Sequence, residues 1–105
     1  MIKPIIQGHS CTKYIFLQNN IKYGSFDIVT KDNHKEIWCF GISCLFQNQG
    51  FGQQMLKECL EMLSGHVIEL GCIKGNDRAL HIYKKFGFKI VEDCGGYYWL
   101  RKEVV

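Results

Sequence analysis

The residues whose types and spacing best suit chemistry are Gln47-Asn48-Gln49-Gly50-Phe51-Gly52, a polar, glycine-bearing run between an apolar stretch and an amphipathic one. A helix opened by such a run leaves its first backbone N–H groups unpaired and turns the positive end of its dipole outward, which suits phosphate. Glycines at 50 and 52 let backbone approach a pyrophosphate with no Cβ in the way. A tight strand-to-helix turn that binds nothing explains the same residues, so the pattern alone leaves both readings open. It is not a dinucleotide-binding fingerprint, because position 55, where the third glycine would stand, is Met55. It also lacks the Gly-Lys-Ser/Thr of a P-loop. What remains is a phosphate-binding turn of another design.

The elements that must position this run follow from periodicity. Residues 13–18 are a short β-prone run, Asn19-Asn20 reads as a tight turn, and residues 21–30 alternate (Ile21, Tyr23, then Phe26, Ile28) as the partner strand. Residues 36–46 are nearly continuous in apolar and small side chains, which predicts a strand covered on both faces. Gly41 in its middle marks a bulge, a close approach by backbone or ligand, or merely a small residue. The helix runs to about Leu63, with Phe51, Met55, Leu56, Cys59, Leu60 and Leu63 on one face, and Ser64-Gly65 end it. Residues 67–73 form a second buried strand. A short helix over 77–86 is capped by Asn76 or Asp77 and stopped by Gly87, and strands over 88–92 and 97–102 close the chain. The order strand-strand-strand-helix-strand-helix-strand-strand is that of an α/β domain around a mixed sheet.

Composition narrows the classes. A chain of 105 residues holds one domain with one core. With no apolar run near the roughly 18 residues of a membrane span and no signal-peptide core at Met1-Ile2-Lys3-Pro4, no membrane partner is expected and the default is cytoplasmic. A net charge of +3, with no basic block longer than Lys84-Lys85, gives no footprint for nucleic acid. Among the six cysteines there is no CxxC pair. Cys39, Cys44, Cys59 and Cys72 lie in apolar stretches and read as small core hydrophobes, so no metal site is expected.

Two segments together resemble a known family. Residues 47–52, directly after an apolar strand, are similar to the Gln/Arg-x-x-Gly-x-Gly/Ala pyrophosphate loop of the GNAT acetyltransferases. Residues 76–88 resemble the second GNAT signature, with Asn76, Ala79 three later, Tyr83 seven later, then Gly87-Phe88. The resemblance spans about residues 13–102 and implies a GNAT-like fold: a mixed, mostly antiparallel sheet with flanking helices. It implies acetyl-CoA as co-substrate and acetyl transfer to a primary amine, carried by a small molecule or a peptide. By the same resemblance, backbone amides from Gln47 through Asn48, Gln49, Gly50, Phe51 and Gly52 to Gln53 hold the pyrophosphate. The strand around Gly41 and Ile42 hydrogen-bonds the pantetheine arm, which requires the strands near Gly41 and Leu70 to splay. A backbone N–H near Ile42 is placed to stabilise the oxyanion. Asn76 bonds the amide arm, a role compatible with capping, and Tyr83 faces the thioester sulfur as general acid.

The resemblance leaves two matters open. No general base stands out: Glu36, Glu69 and His34 are candidates because they lie on or beside the central strands, and a water chain would serve as well. Only about twelve residues precede the first clear hairpin. The family's usual N-terminal strand and two helices, which form much of the acceptor wall, are therefore expected to be missing. Either the acceptor site is open or a second subunit completes it in a homodimer. Two other readings use the same residues: a CoA binder without catalysis, and a small interaction module whose glycine turns are structural. Lys84 and Lys85 read as an exposed helix face, and Cys72 as core rather than an acyl carrier.

Overall fold

The computed structural model describes residues 1–104. Strands β1 (Ile2–Gln7), β2 (Cys11–Gln18), β3 (Ile21–Thr30), β4 (Lys35–Ile42), β5 (Ile68–Ile73), β6 (Lys89–Asp93) and β7 (Tyr97–Lys102) form one sheet, ordered β1-β2-β3-β4-β5-β7-β6. Helix α1 (Phe51–Met62) links β4 to β5, and α2 (Asp77–Lys85) links β5 to β6. Every neighbouring pair is antiparallel except β4 and β5. This is the mixed, mostly antiparallel sheet with flanking helices that the sequence implies. The β2–β3 turn places Asn19 and Asn20 at φ 53° and 64°, the doubly left-handed geometry that asparagine tolerates and that matches strand twist.

Alternation along the strands assigns the faces. Phe16, Phe26, Ile28, Ile37, Leu70, Cys72 and Leu100 are buried beneath Met55, Leu56, Cys59 and Leu63 of the α1 segment. Ala79, Ile82, Tyr83 and Phe86 of the α2 segment pack on the same core. Both helices therefore cover one face. The other carries Lys13, Asp27, Glu36, Trp38, Glu69, Trp99 and Arg101, and no helix of the described residues lies over it.

Three expectations change here. The residues before the hairpin do form a strand: β1 pairs with β2 from Ile2↔Phe16 to Gln7↔Thr12. Its side chains are almost all exposed and Pro4 interrupts it, so an edge strand leaves no alternation to read. What is missing between β1 and β2 is any helix, since only residues 8–10 join them. Second, β4 ends at Ile42, and Cys44–Phe46 form a 3-10 turn instead. The strand is covered on one face only, leaving Trp38 46% exposed. Third, Cys59 and Cys72 are buried but Cys39 and Cys44 are exposed. Cys39 leaves the strand's alternation at φ 53°, and Cys44 lies beyond the strand's end. Among the described residues no helix is long and apolar enough to cross a membrane.

Gly24 fixes how closely β3, β4 and α1 meet. A Cβ there would lie 2.5 Å from the Gly41 carbonyl oxygen, 2.8 Å from Ile42 Cδ1 and 3.1 Å from Met55 Sδ. Two of these neighbours belong to β4, whose backbone cannot shift without disturbing its pairing. Gly24→Ala is expected to lower unfolding free energy by roughly 1–3 kcal/mol, the usual range for overpacking, read from a denaturant midpoint.

Candidate active site

The sheet opens between its two parallel strands. β4 and β5 pair at Lys35↔Ile68, Glu36↔Glu69 and Ile37↔Leu70 and nowhere beyond. On the other side of β4 the register steps from Asp27↔Trp38 to Ser25↔Gly41, so β4 uses three residues where β3 uses two. The extra residue is a bulge, with Cys39 at φ 53°, and a bulge bends and twists its strand. The bulge thus lies two residues before Gly41 rather than on it. Gly41 instead has nothing within 4 Å of where its Cβ would stand.

Hydrogen-bond phase then decides which way Ile42 points. Ser43 N donates to Tyr23 O at 2.8 Å, and Ile42 lies opposite Gly24. Ile42 is therefore in a non-hydrogen-bonded antiparallel pair, and its own N–H and C=O face away from β3 into the fork. The Gln47 side chain donates to that carbonyl at 3.1 Å, and no such partner stands against the N–H among the described residues.

Between the fork and the N-terminal ends of α1 and α2 runs a groove of about 310 Å³. Gly41, Ile42, Gln47, Asn48, Gly50, Gly52, Gln53, Asn76 and Tyr83 line it together. Gln49 and Phe51 do not line it. The Gln49 amide donates to Leu45 O at 3.5 Å, and Phe51 stacks on Tyr23 at 4.2 Å, with Phe46 edge-on to Tyr23 at 4.5 Å. Those two side chains hold the loop in place rather than face the cavity.

The two helix ends facing the groove differ. Gly50 precedes α1 at φ 85°, no side chain caps the helix, and its first turn holds no acid. Its leading N–H groups and dipole are open to an anion. α2 is capped by Asn76, whose Oδ1 accepts from Ala79 N at 3.2 Å, and begins with Asp77. The Asn76 amide donors have no partner in the chain among the described residues. Arg78, to which the sequence analysis gives no role, is the single cation among the groove-lining side chains and donates to Asn48 Oδ1. Lys85 stays on the exposed helix face, its Nζ donating to Gln53 Oε1 at 3.3 Å.

Tyr83 faces the groove from α2, edge-on to Phe88 at 5.9 Å, with no hydrogen-bond partner for its hydroxyl among the described residues. Burial, with the Cys72 thiol nearby, pushes its pKa up to about 12. The phenol therefore holds its proton. Burial first, and then Asp77, also raise the Cys72 thiol, whose Sγ lies 3.8 Å from Ile73 O and 3.9 Å from Asn76 O. A thiol kept protonated inside the core is no acyl carrier.

The three base candidates meet on the bare face, at the closed end of the fork. His34 Nε2 lies 2.8 Å from Glu36 Oε2 and 3.7 Å from Glu69 Oε1, and its Nδ1 lies 2.7 Å from Asn33 Oδ1. Trp38 donates to Glu36 at 2.9 Å. Trp99 and Arg101 donate to Glu69 at 2.5 and 3.0 Å. One ligand-type atom from each of His34, Glu36 and Glu69 lies within 4.8 Å of the others, but the carboxylate oxygens already accept from indole, imidazole and guanidinium. Burial raises the Glu69 pKa, yet the Trp99 and Arg101 hydrogen bonds and the nearby His34 and Arg101 charges outweigh it, and the net shift is down. A lowered folded-state pKa gives stability that is fully present above the ordinary carboxylate pKa and is lost as pH falls below it through the folded-state value. Glu69→Gln is expected to lower the melting temperature by roughly 5 °C at pH 7, with the gap closing below about pH 4, as melting curves across pH would read.

This chain matches the Acetyltransferase (GNAT) family over residues 9–88. It is 34% identical over 56 residues to the N-alpha-acetyltransferase RimI of Mycobacterium tuberculosis, a match covering 53% of this chain and 35% of that protein. The matched segment thus spans about a third of that curated relative's length. In fold it is similar to a GNAT family acetyltransferase from Elizabethkingia anophelis with acetyl-CoA bound, at TM-score 0.83 and 20% identity, over 99% of this chain and 97% of that one. It is likewise similar to the ribosomal-protein-S18-alanine N-acetyltransferase from Escherichia coli, at TM-score 0.80 and 16% identity, over 91% and 70% of the two chains. A family match over three-quarters of its length, on a sheet that forks beside an uncapped helix, makes this chain a member of the GNAT acetyltransferase family.

Proposed function

We propose that this chain, acting as a single domain over residues 1–105, transfers the acetyl group of acetyl-CoA to a primary amine by direct attack in a ternary complex. The observation that carries this reading is one groove joining the fork to the open N-terminus of α1. The fork offers unpaired strand edge to an amide-bearing arm, and the helix end offers N–H groups to a pyrophosphate. A ligand with both parts, at the spacing that one groove spans, is coenzyme A. Gly41 and Gly50, with open space at their Cβ positions, leave room for such a ligand against backbone.

In this reading the Gln47–Gln53 backbone and Arg78 hold phosphate, and the free Asn76 amide donates to the arm. The Ile42 N–H faces the thioester oxygen as it gains charge. The amine nitrogen bonds to the acyl carbon, the C–S bond breaks, and the amine's proton leaves toward the closed end of the fork. The Trp99 and Arg101 hydrogen bonds lower the Glu69 pKa, which makes Glu69 a weak base for that proton. Tyr83 serves the leaving sulfur. With its phenol near pKa 12 and a thiol near 8.5, full proton transfer is uphill by about 5 kcal/mol, so Tyr83 acts by hydrogen-bonding the thiolate. Six free cysteines suit a reducing cytoplasm.

Calorimetry with acetyl-CoA tests the reading: a micromolar dissociation constant, roughly −7 to −8 kcal/mol, is expected. Neither heat nor thermal shift at millimolar ligand would reduce the groove to a structural feature. Binding without free-thiol release across an amine panel would leave a CoA binder that has lost catalysis.

A further inference from the structure

We infer that the side chain of Asn48 is a positioning residue: its carbonyl holds the Arg78 guanidinium over the groove, aimed at phosphate before a ligand arrives. The inference rests on the coenzyme A reading of the groove and gives a role to a side chain that the reading uses only for its backbone. Asn48 and Arg78 stand 30 residues apart in the chain, yet both line the groove, and Arg78 Nη1 donates to Asn48 Oδ1. Arg78 belongs to the first turn of α2, directly after Asp77. Asn48 belongs to the loop that leads into α1, two residues before Gly50. The bond therefore spans the two lips of the groove. It places the only cation among the groove-lining side chains beside the loop whose backbone N–H groups serve the same anion.

The residue type at position 48 meets two demands together. Its backbone is left-handed, at φ 64°, a conformation that glycine, asparagine and aspartate adopt more readily than other types. Glycine would satisfy the backbone and offer Arg78 nothing. Aspartate would satisfy the backbone and bind Arg78, but would set a negative charge where phosphate must enter. Asparagine supplies a neutral acceptor. One bond to it leaves most of the guanidinium N–H donors for an anion, and an ionised phosphate outcompetes a neutral amide oxygen for them. The gain from holding Arg78 is entropic. Arginine has many rotamers, and immobilising such a side chain only when the ligand binds costs affinity. Both side chains are exposed, so the hold is partial and its effect is a modest factor in affinity.

A double-mutant cycle read by calorimetry with acetyl-CoA tests the role, on wild type, Asn48→Gly, Arg78→Ala and the double variant of the full-length protein. Asn48→Gly keeps the left-handed backbone and removes only the side chain, so it should fold, as a melting curve would verify. It is expected to weaken acetyl-CoA about three- to tenfold. In the Arg78→Ala background the same change is expected to weaken it by less than about twofold, because no guanidinium remains to be aimed. Asn48→Asp is expected to bind more weakly than Asn48→Gly, since a carboxylate both ties down the guanidinium and repels phosphate. Equal losses in the two backgrounds would make Asn48 a residue of the loop's own structure and overturn the positioning role. So would wild-type affinity in Asn48→Gly, or in Asn48→Asp. Wild type that binds no acetyl-CoA at millimolar ligand would instead sink the coenzyme A reading, and the positioning role with it.

Discussion

Tyr83→Phe is expected to lower turnover about 10- to 150-fold while leaving acetyl-CoA affinity within a few-fold and melting temperature unchanged. A hydrogen bond to a charged group contributes roughly 1.5–3 kcal/mol, and here it forms only as the thiolate develops, so the loss falls on rate. The neutral thioester sulfur is a poor acceptor, which spares binding. The ring stays against Phe88, and the hydroxyl has no partner to lose among the described residues, which spares stability. Because burial holds the phenol near pKa 12, no rate loss is expected from its ionisation up to about pH 11. Steady-state kinetics on an active acceptor, calorimetry and a melting curve read the three quantities. A variant turning over like wild type would assign the leaving thiolate to solvent; one that melted much lower would make Tyr83 a core residue.

The second large effect is on binding. Gly52→Val is expected to weaken acetyl-CoA at least about tenfold, because a branched side chain enters the groove where phosphate must reach the first turn of α1. The fold should tolerate it: a Cβ at position 52 meets only Ile42 Cγ1, at an ordinary 3.8 Å. Gly50 is a different case. At φ 85° any branched residue is strained, so Gly50→Val would confuse lost binding with lost folding. Gly50→Asn, a residue that adopts this conformation more readily, isolates the steric effect on the ligand. Calorimetry on Gly52→Val and Gly50→Asn, each checked by circular dichroism, reads the result. Wild-type affinity in both would make the loop a turn without a ligand.

What the amino-acid sequence determined is whatever local physics writes into neighbouring residues. The α1 stripe of Met55, Leu56, Cys59 and Leu63, the Asn19-Asn20 turn, the Asn76 cap and the glycine-bearing loop were all legible, because helix period, left-handed turns and capping depend on near neighbours. Most of the groove was legible for the same reason, since its residues come from two helix starts and one strand end. Strand β1 was not legible, because an edge strand with exposed side chains carries no alternation. Nor was the bulge, which is a mismatch between β3 and β4 and so belongs to neither strand alone. Arg78 reached the groove only when α2 was set against the loop at Asn48. His34, Glu36 and Glu69 stood apart in the chain as scattered candidates. The parallel rung Glu36↔Glu69 brought them into one network with Trp38, Trp99 and Arg101. The bare face, too, was decided in three dimensions: both crossover helices pack on one side of the sheet, and a sequence read residue by residue contains no statement of side.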